Sequence, residues 1–190
     1  MAFNARSIGK NPKRDSVLTF LNTKSPDLIV ITETNICKTV ENVIKDEWGG
    51  KVFFSSFSSQ ARGVAIFQKK NLPIKILNKC NDDAGNLLAL LVEFEGRRLL
   101  LEGIYGPNSD HPDFYEDKVF EQIDTWGAEF TILAGDWNLT LDPQKDTLNY
   151  VNDDNNIEAR RVVHRKMQEY SLLDVWRVFN PDIEKFTWRK

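Results

Sequence analysis

Cysteine is nearly absent: Cys37 and Cys80 are the only two in 190 residues. Two thiols build no disulfide framework, which excludes a disulfide-stapled secreted fold and makes a reduced, intracellular setting the expectation. Long apolar runs are missing as well. The longest, residues 87–92, falls far short of the roughly 20 residues that a bilayer demands. The opening Met-Ala-Phe-Asn-Ala-Arg has no apolar stretch of the secretory kind, so no signal peptide is read. Histidine is scarce, at His111 and His164 only. Repeats, low-complexity tracts and linkers rich in Gly, Ser or Pro are lacking, and a single domain over residues 1–190 is expected. The remainder, 41% hydrophobic and 28% charged, is ordinary for a globular chain long enough to bury a sizeable core.

A net charge of −3 excludes a protein that binds nucleic acid by bulk positive charge alone. The distribution is uneven, however. Residues 1–80 hold 13 Lys/Arg against 6 Asp/Glu, residues 81–160 hold 5 against 18, and residues 161–190 hold 7 against 4. Two basic ends brought together by folding would offer a positive face to a phosphate backbone. The same pattern is also what solvated acidic loops and helices produce.

Runs rich in Val, Ile, Leu and Phe predict strands at 28–32, 52–54, 63–68, 74–77, 87–94, 98–105 and 130–134. Glu95-Gly96 reads as a tight hairpin turn between two of them. Apolar spacing of the helical period predicts helices at 13–22, 39–48, 113–126 and 157–170. Hairpins mixed with strand–helix alternation predict an α+β protein with mixed sheets covered by helices. Residues 142–156 are polar and read as a long surface loop.

Three strands end in a polar residue beside a turn. Glu33 follows the apolar run Leu28-Ile29-Val30-Ile31, with only Thr32 between. A carboxylate there is either paired with a cation or solvated just past the strand. Asp136 and Asn138, in Gly-Asp-Trp-Asn, follow the run 130–134 and share a side if the chain stays extended. A carboxylate that positions water or metal beside an amide that donates to phosphate would serve phosphate chemistry, but these are turn residues too. Tyr105 precedes Gly-Pro-Asn, where its phenol could reach a phosphate oxygen or pack at a rim. Polar groups gathered at strand ends are where open sheets place their sites.

Asn4 in Phe-Asn-Ala-Arg-Ser-Ile, Glu33 in Ile-Thr-Glu-Thr-Asn, Tyr105 in Ile-Tyr-Gly-Pro-Asn, and Asp136 with Asn138 in Gly-Asp-Trp-Asn resemble, in order and spacing, the endonuclease/exonuclease/phosphatase superfamily. Arg62-Gly63-Val64-Ala65-Ile66, Leu173-Asp174-Val175-Trp176-Arg177 and Phe186-Thr187-Trp188 resemble its non-LTR (LINE-type) retrotransposon branch. The resemblance implies a four-layer α/β sandwich, two mixed sheets face to face with helices outside. It implies Mg²⁺ (or Mn²⁺) held by Glu33 with Asn4 beside it. Asp136 would activate water, and Asn138 and Tyr105 would donate to the phosphate. Asn35, where the family often has His or Lys, would contact nucleic acid, as would Thr187. The implied reaction is metal-assisted hydrolysis of a phosphodiester, with DNA as partner.

The family pattern continues beyond Thr187-Trp188 with an Arg-Ile-Asp strand and a terminal Ser-Asp-His, and begins with a longer first strand. The last strands of one sheet are therefore expected to be missing and the activity weak or lost. Ser109-Asp110-His111 stands in the wrong place in the order and reads as a loop leading into a helix. His164 reads as a surface or packing residue within a helix, so neither histidine is an expected general base. The leading expectation is a DNA-nicking endonuclease domain that works with a reverse transcriptase of the same element, intracellular, with a nuclear site of action implied by that resemblance, and not secreted. An abasic-site repair nuclease, a phosphatase of the same superfamily, or a non-catalytic remnant are the alternatives.

Overall fold

The structure, a computed structural model, describes residues 1–147 and 156–183. The β-branched and Leu/Phe-rich runs become eight strands in two four-stranded sheets. One sheet is ordered β1 (Ala2–Asn4), β2 (Leu28–Thr32), β4 (Val64–Gln68), β3 (Lys51–Ser55). The other is ordered β5 (Lys75–Asn81), β6 (Leu87–Phe94), β7 (Arg97–Tyr105), β8 (Phe130–Asp136). Both are mixed: β1 runs parallel to β2 and β7 parallel to β8, and the other pairs are antiparallel. The β6–β7 hairpin turns at Glu95-Gly96, both at positive φ (51° and 77°), as a primed turn requires. The expected α+β fold with two mixed sheets and helices is what forms.

Central strand β4 is buried at all five positions, which is why its sequence is continuously apolar instead of alternating. Ala65 and Phe67 face one core and Val64 and Ile66 the other. In the first core, Ile29, Ile31 and Phe67 pack with Leu21 of α1 (Lys13–Lys24) and Ile44 of α2 (Lys38–Trp48). The second core lies between the sheets, where Val30, Val64 and Ile66 meet Leu88, Leu90 and Leu101. Gly103 marks a close approach: a Cβ there would stand 2.7 Å from Val64 Cγ1 and 3.0 Å from Val30 Cγ1.

The described chain falls into two compact units. The first, Met1–Gly106 with Gln122–Asp136, holds both sheets, α1 and α2. The second comprises Pro107–Glu121 and Trp137–Lys190. The helix expected at 113–126 is interrupted: α3 (Pro112–Phe114) runs into a π-helical turn (Tyr115–Val119) before α4 (Glu121–Trp126). Within the expected loop, α5 (Pro143–Asp146) forms a short turn, and residues 148–155 are outside the description. Then follow α6 (Ile157–Glu169) and α7 (Val175–Phe179). Asp110, in the Ser-Asp-His look-alike, accepts from the backbone N–H groups of Glu158 (3.0 Å) and Ala159 (2.8 Å) and so caps the start of α6. The motif is a loop leading into helix, as read. Exposed His164 places Nε2 2.9 Å from the Leu141 carbonyl. Among the described residues, no helix is long and apolar enough to cross a membrane.

Candidate active site

Two parallel strand pairs end in register within the first unit. Asn4 closes β1 opposite Thr32 of β2, and Tyr105 closes β7 opposite Asp136 of β8. Glu33 is the next residue after Thr32. Partners in register project to the same face of a sheet, so Tyr105 and Asp136 point the same way, and Tyr105 belongs to the core between the sheets. Face-to-face packing brings these strand ends together.

Their side chains bond directly. Asn4 Nδ2 donates to Glu33 Oε1 at 3.0 Å and to Asp136 Oδ2 at 2.8 Å. Tyr105 Oη donates to the same Glu33 oxygen at 3.0 Å. The backbone N–H of Arg6 donates to Asn4 Oδ1 at 3.1 Å, which fixes the amide with its nitrogen toward the two carboxylates. One amide and one phenol thus serve two carboxylates, Glu33 and Asp136, that lie 103 residues apart in sequence.

The loops beyond these strands are zipped to one another. Ser7 N–H donates to the Glu33 carbonyl (2.7 Å) and Ile8 N–H to that of Thr34 (2.9 Å). Thr34 and Asn35 N–H donate to the carbonyls of Gly63 (3.1 Å) and Arg62 (2.8 Å), and Gly63 N–H donates to Gly85 (3.0 Å). Five non-glycine residues of this ladder have positive φ: Arg6 (47°), Ser7 (87°), Glu33 (50°), Asn35 (48°) and Arg62 (61°). Each costs on the order of 1 kcal/mol, and such strain persists where surrounding structure imposes it, commonly at working sites. Gly63 has no alternative, since at φ 98° its Cβ would lie 2.1 Å from Thr34 Oγ1.

Of the catalytic candidates, Asn4, Glu33, Tyr105 and Asp136 are brought together. Asn138 belongs to the second unit, in a turn at φ 49°, where its carbonyl accepts from Asn156 Nδ2 at 2.7 Å. The chain is therefore not extended past Asp136. Asn35 lies in the loop ladder with its Oδ1 buried and without a hydrogen-bond partner. Thr187 lies outside the described residues.

Asn86 was not foreseen. Its Nδ2 donates to the Tyr105 carbonyl (2.6 Å), and the Tyr105 N–H donates back to the Asn86 carbonyl (2.8 Å), pinning the backbone that carries the phenol. Asp82 in turn accepts from the N–H groups of Asn86 (2.8 Å) and Leu87 (2.9 Å). The stretch Asn-Asp-Asp-Ala-Gly-Asn at 81–86 is readable as a turn, but its partner across 19 residues is not.

The donor set is all oxygen and nitrogen of hard character, two carboxylates around one amide with no thiolate or imidazole. That composition suits Mg²⁺ or Mn²⁺ better than a soft metal. Among the described residues no group of three or more His, Cys, Asp or Glu forms a site of the all-protein kind. Mg²⁺ needs none, because it commonly binds through one or two carboxylates plus water and phosphate.

Comparison with known proteins gives one consistent picture. The sequence model of the Endonuclease/Exonuclease/phosphatase family matches residues 1–165. Over 189 residues the chain is 30% identical to the transposon TX1 uncharacterized 149 kDa protein of Xenopus laevis, spanning 94% of this chain and 14% of that one. The chain is thus similar to a small part of a much longer protein. Among solved structures it is similar to an AP endonuclease from Archaeoglobus fulgidus (TM-score 0.71, 21% identity, 100% of this chain and 77% of that one). It is also similar to the AP endonuclease LMAP from Leishmania major (0.72, 16%, 95% and 69%). A 3'-5' exonuclease, NExo, from Neisseria meningitidis aligns as well (0.72, 18%, 100% and 77%). At these identities the solved structures share the fold.

Proposed function

Because the chain belongs to the endonuclease/exonuclease/phosphatase family, we propose that it is a divalent-metal-dependent phosphodiesterase acting on DNA, the nicking endonuclease domain of a non-LTR retrotransposon. The observation that carries the reading is the hydrogen-bonded cluster of Asn4, Glu33, Tyr105 and Asp136 at converging strand ends. The transposon relative supports an element-encoded setting. In that setting a reverse transcriptase of the same element would extend the nicked end.

Glu33 would hold the cation, with Asn4 beside it. A bound Mg²⁺ or Mn²⁺ would supply Lewis acidity at a phosphate oxygen. The protein supplies the rest. Asp136, oriented by the Asn4 amide, would accept a proton from an attacking water. The Asn4 amide and the Tyr105 phenol, which donate to Glu33 and Asp136 in the free chain, would switch to phosphate oxygens when substrate and cation bind and so stabilise the negative charge growing there. The strained loop ladder holds these groups in place before substrate arrives.

The test is conversion of supercoiled plasmid to relaxed circles in Mg²⁺. Wild-type chain should nick slowly but measurably, and EDTA should abolish it. Glu33→Gln should lower the rate at least about 100-fold, the usual scale for losing one key electrostatic group. Nicking by Glu33→Gln at the wild-type rate would overturn the assignment.

A further inference from the structure

A second feature of the first unit lies on the loop ladder, outside the cluster of four. Phe57 is 50% exposed, an aromatic ring held out toward solvent from the loop between β3 and β4. The Arg62 guanidinium lies over that ring at 5.2 Å from its centroid. Arg62 is itself exposed. The pair is held from both ends. A Cβ on Gly85 would stand 2.8 Å from Phe57 Cβ, so the segment carrying Phe57 rests directly on the hairpin before β6. The Arg62 carbonyl accepts from Asn35 N–H, two residues past Glu33. Arg62 Nη1 also reaches Asn86 Oδ1 at 3.4 Å, and Asn86 Nδ2 holds the carbonyl of Tyr105, whose phenol bonds Glu33. Ring and guanidinium are therefore wired to the cluster through one short chain of contacts.

Polar atoms in the same loops lack partners. Thr34 Oγ1, Asn35 Oδ1 and Ser56 Oγ are buried without a hydrogen bond, three of the six such atoms found among the described residues. Buried polar atoms left unmatched call for an explanation, and a ligand that comes to these loops is one. The loop residues Arg6 and Lys10 and the first residue of α2, Lys38, are exposed cations, while Asp82 is consumed by the backbone N–H groups of Asn86 and Leu87.

An exposed aromatic face paired with a guanidinium matches one chemistry well. A nucleobase stacks on the ring, and the guanidinium stacks on the base or binds the adjacent phosphate. We propose that Phe57 and Arg62 form a shelf that stacks an unpaired or distorted nucleotide beside the bond to be cut. This deepens the nuclease reading and rests on it. The shelf would explain why a chain of net charge −3 can engage nucleic acid locally: stacking adds to affinity without bulk positive charge.

The test uses the whole chain in EDTA, so that binding is read without cleavage. The probe is a DNA duplex with a short single-stranded gap carrying 2-aminopurine, whose fluorescence is quenched on stacking. Wild type should bind and quench. Phe57→Ala should weaken binding about tenfold and lose the quench, and Phe57→Trp should retain both. Phe57→Leu, which keeps apolar bulk against Gly85, should behave like Phe57→Ala. Arg62→Gln should reduce the slope of log affinity against log salt by about one. Thermal unfolding of each variant separates loss of the shelf from loss of the fold. Equal binding and quenching by Phe57→Leu and wild type, in folded protein, would overturn the proposal, as would failure of wild type to bind the probe. Neither result touches the plasmid assay with Glu33→Gln, so the shelf and the nuclease assignment stand or fall separately.

Discussion

Glu102, in the middle of β7, is fully buried, and neither carboxylate oxygen has a hydrogen-bond partner. Burial pushes its carboxyl well above the ordinary value. A raised folded-state value means that the folded chain holds a proton that the unfolded chain releases. Stability is then fully present below the unfolded value of 4.5 and declines as pH rises above it toward the folded one. Glu102→Leu should raise the melting temperature, more at pH 8 than at pH 5, by about 2–4 °C for each kcal/mol recovered. Scanning calorimetry at both values checks it, and an equal shift at both would show that the carboxyl is not the cause. No residue pattern announces this group, because Leu-Leu-Leu-Glu-Gly-Ile reads equally as a strand with one solvated carboxylate. Glu33 was legible for a different reason, since its place at the end of an apolar run is local. What Asn4 does for it was not, because the amide's orientation is set by Arg6 N–H on one side and two carboxylates on the other.

At the scale of elements, the link between α1 and α2 is an ion pair in poor solvent. Arg14, 7% exposed, donates from Nε to Glu47 Oε2 at 2.6 Å and from Nη2 to Oε1 at 3.0 Å, with Nη1 on the Gly9 carbonyl. The hydrogen bond to the Glu47 carboxylate raises the guanidinium's already high value. Removing only the acid strands a buried cation, so Glu47→Ala should cost about 2–3 kcal/mol, tempered by partial exposure of Glu47. The double variant Arg14→Met, Glu47→Leu should recover most of it. Urea denaturation of the three proteins decides, and equal stability of Glu47→Ala and wild type would refute the pair's importance.

Strands were the most readable elements. β2 and β6 occupy the expected 28–32 and 87–94, because an apolar run bounded by turns has few other fates. Short helices were not read from period, since a turn or two carries too few residues to show one. α5 and α7 begin instead at capping aspartates: Asp142 accepts from Lys145 N–H and Asp174 from Arg177 N–H. Arg177 also bonds Asp146, so the segment Leu-Asp-Val-Trp-Arg is a capped helix with an ion pair. The π-helical turn inside 113–126 was invisible, because a one-residue insertion leaves the apolar spacing nearly unchanged.

For the molecule as a whole, the spacing between sheets decides whether the four strand ends meet. Gly103 sits where β7 passes close to Val64 and Val30 of the opposite sheet. Gly103→Val would force the sheets apart, costing about 1–3 kcal/mol from overpacking. Because Tyr105 lies two residues further along the same strand, the change should also lower plasmid nicking more than its loss of stability explains at temperatures where the protein stays folded. Circular dichroism melts beside the nicking assay test this, and nicking that falls only in step with the folded fraction would contradict it.

The sequence by itself determined the apolar strands, the amphipathic helices, the hairpin at Glu95-Gly96 and the polar residue at each critical strand end, since all of these are written in short windows of chain. Even the family was readable, from ordered motifs that each span a few residues. Only the tertiary structure decided that Asn4 donates to both Glu33 and Asp136, that Asn86 braces Tyr105, that Glu102 is sealed away and that Phe57 carries Arg62. The first two depend on contacts between residues far apart in sequence, and all four are set by how two sheets pack and where strained loops hydrogen-bond to one another.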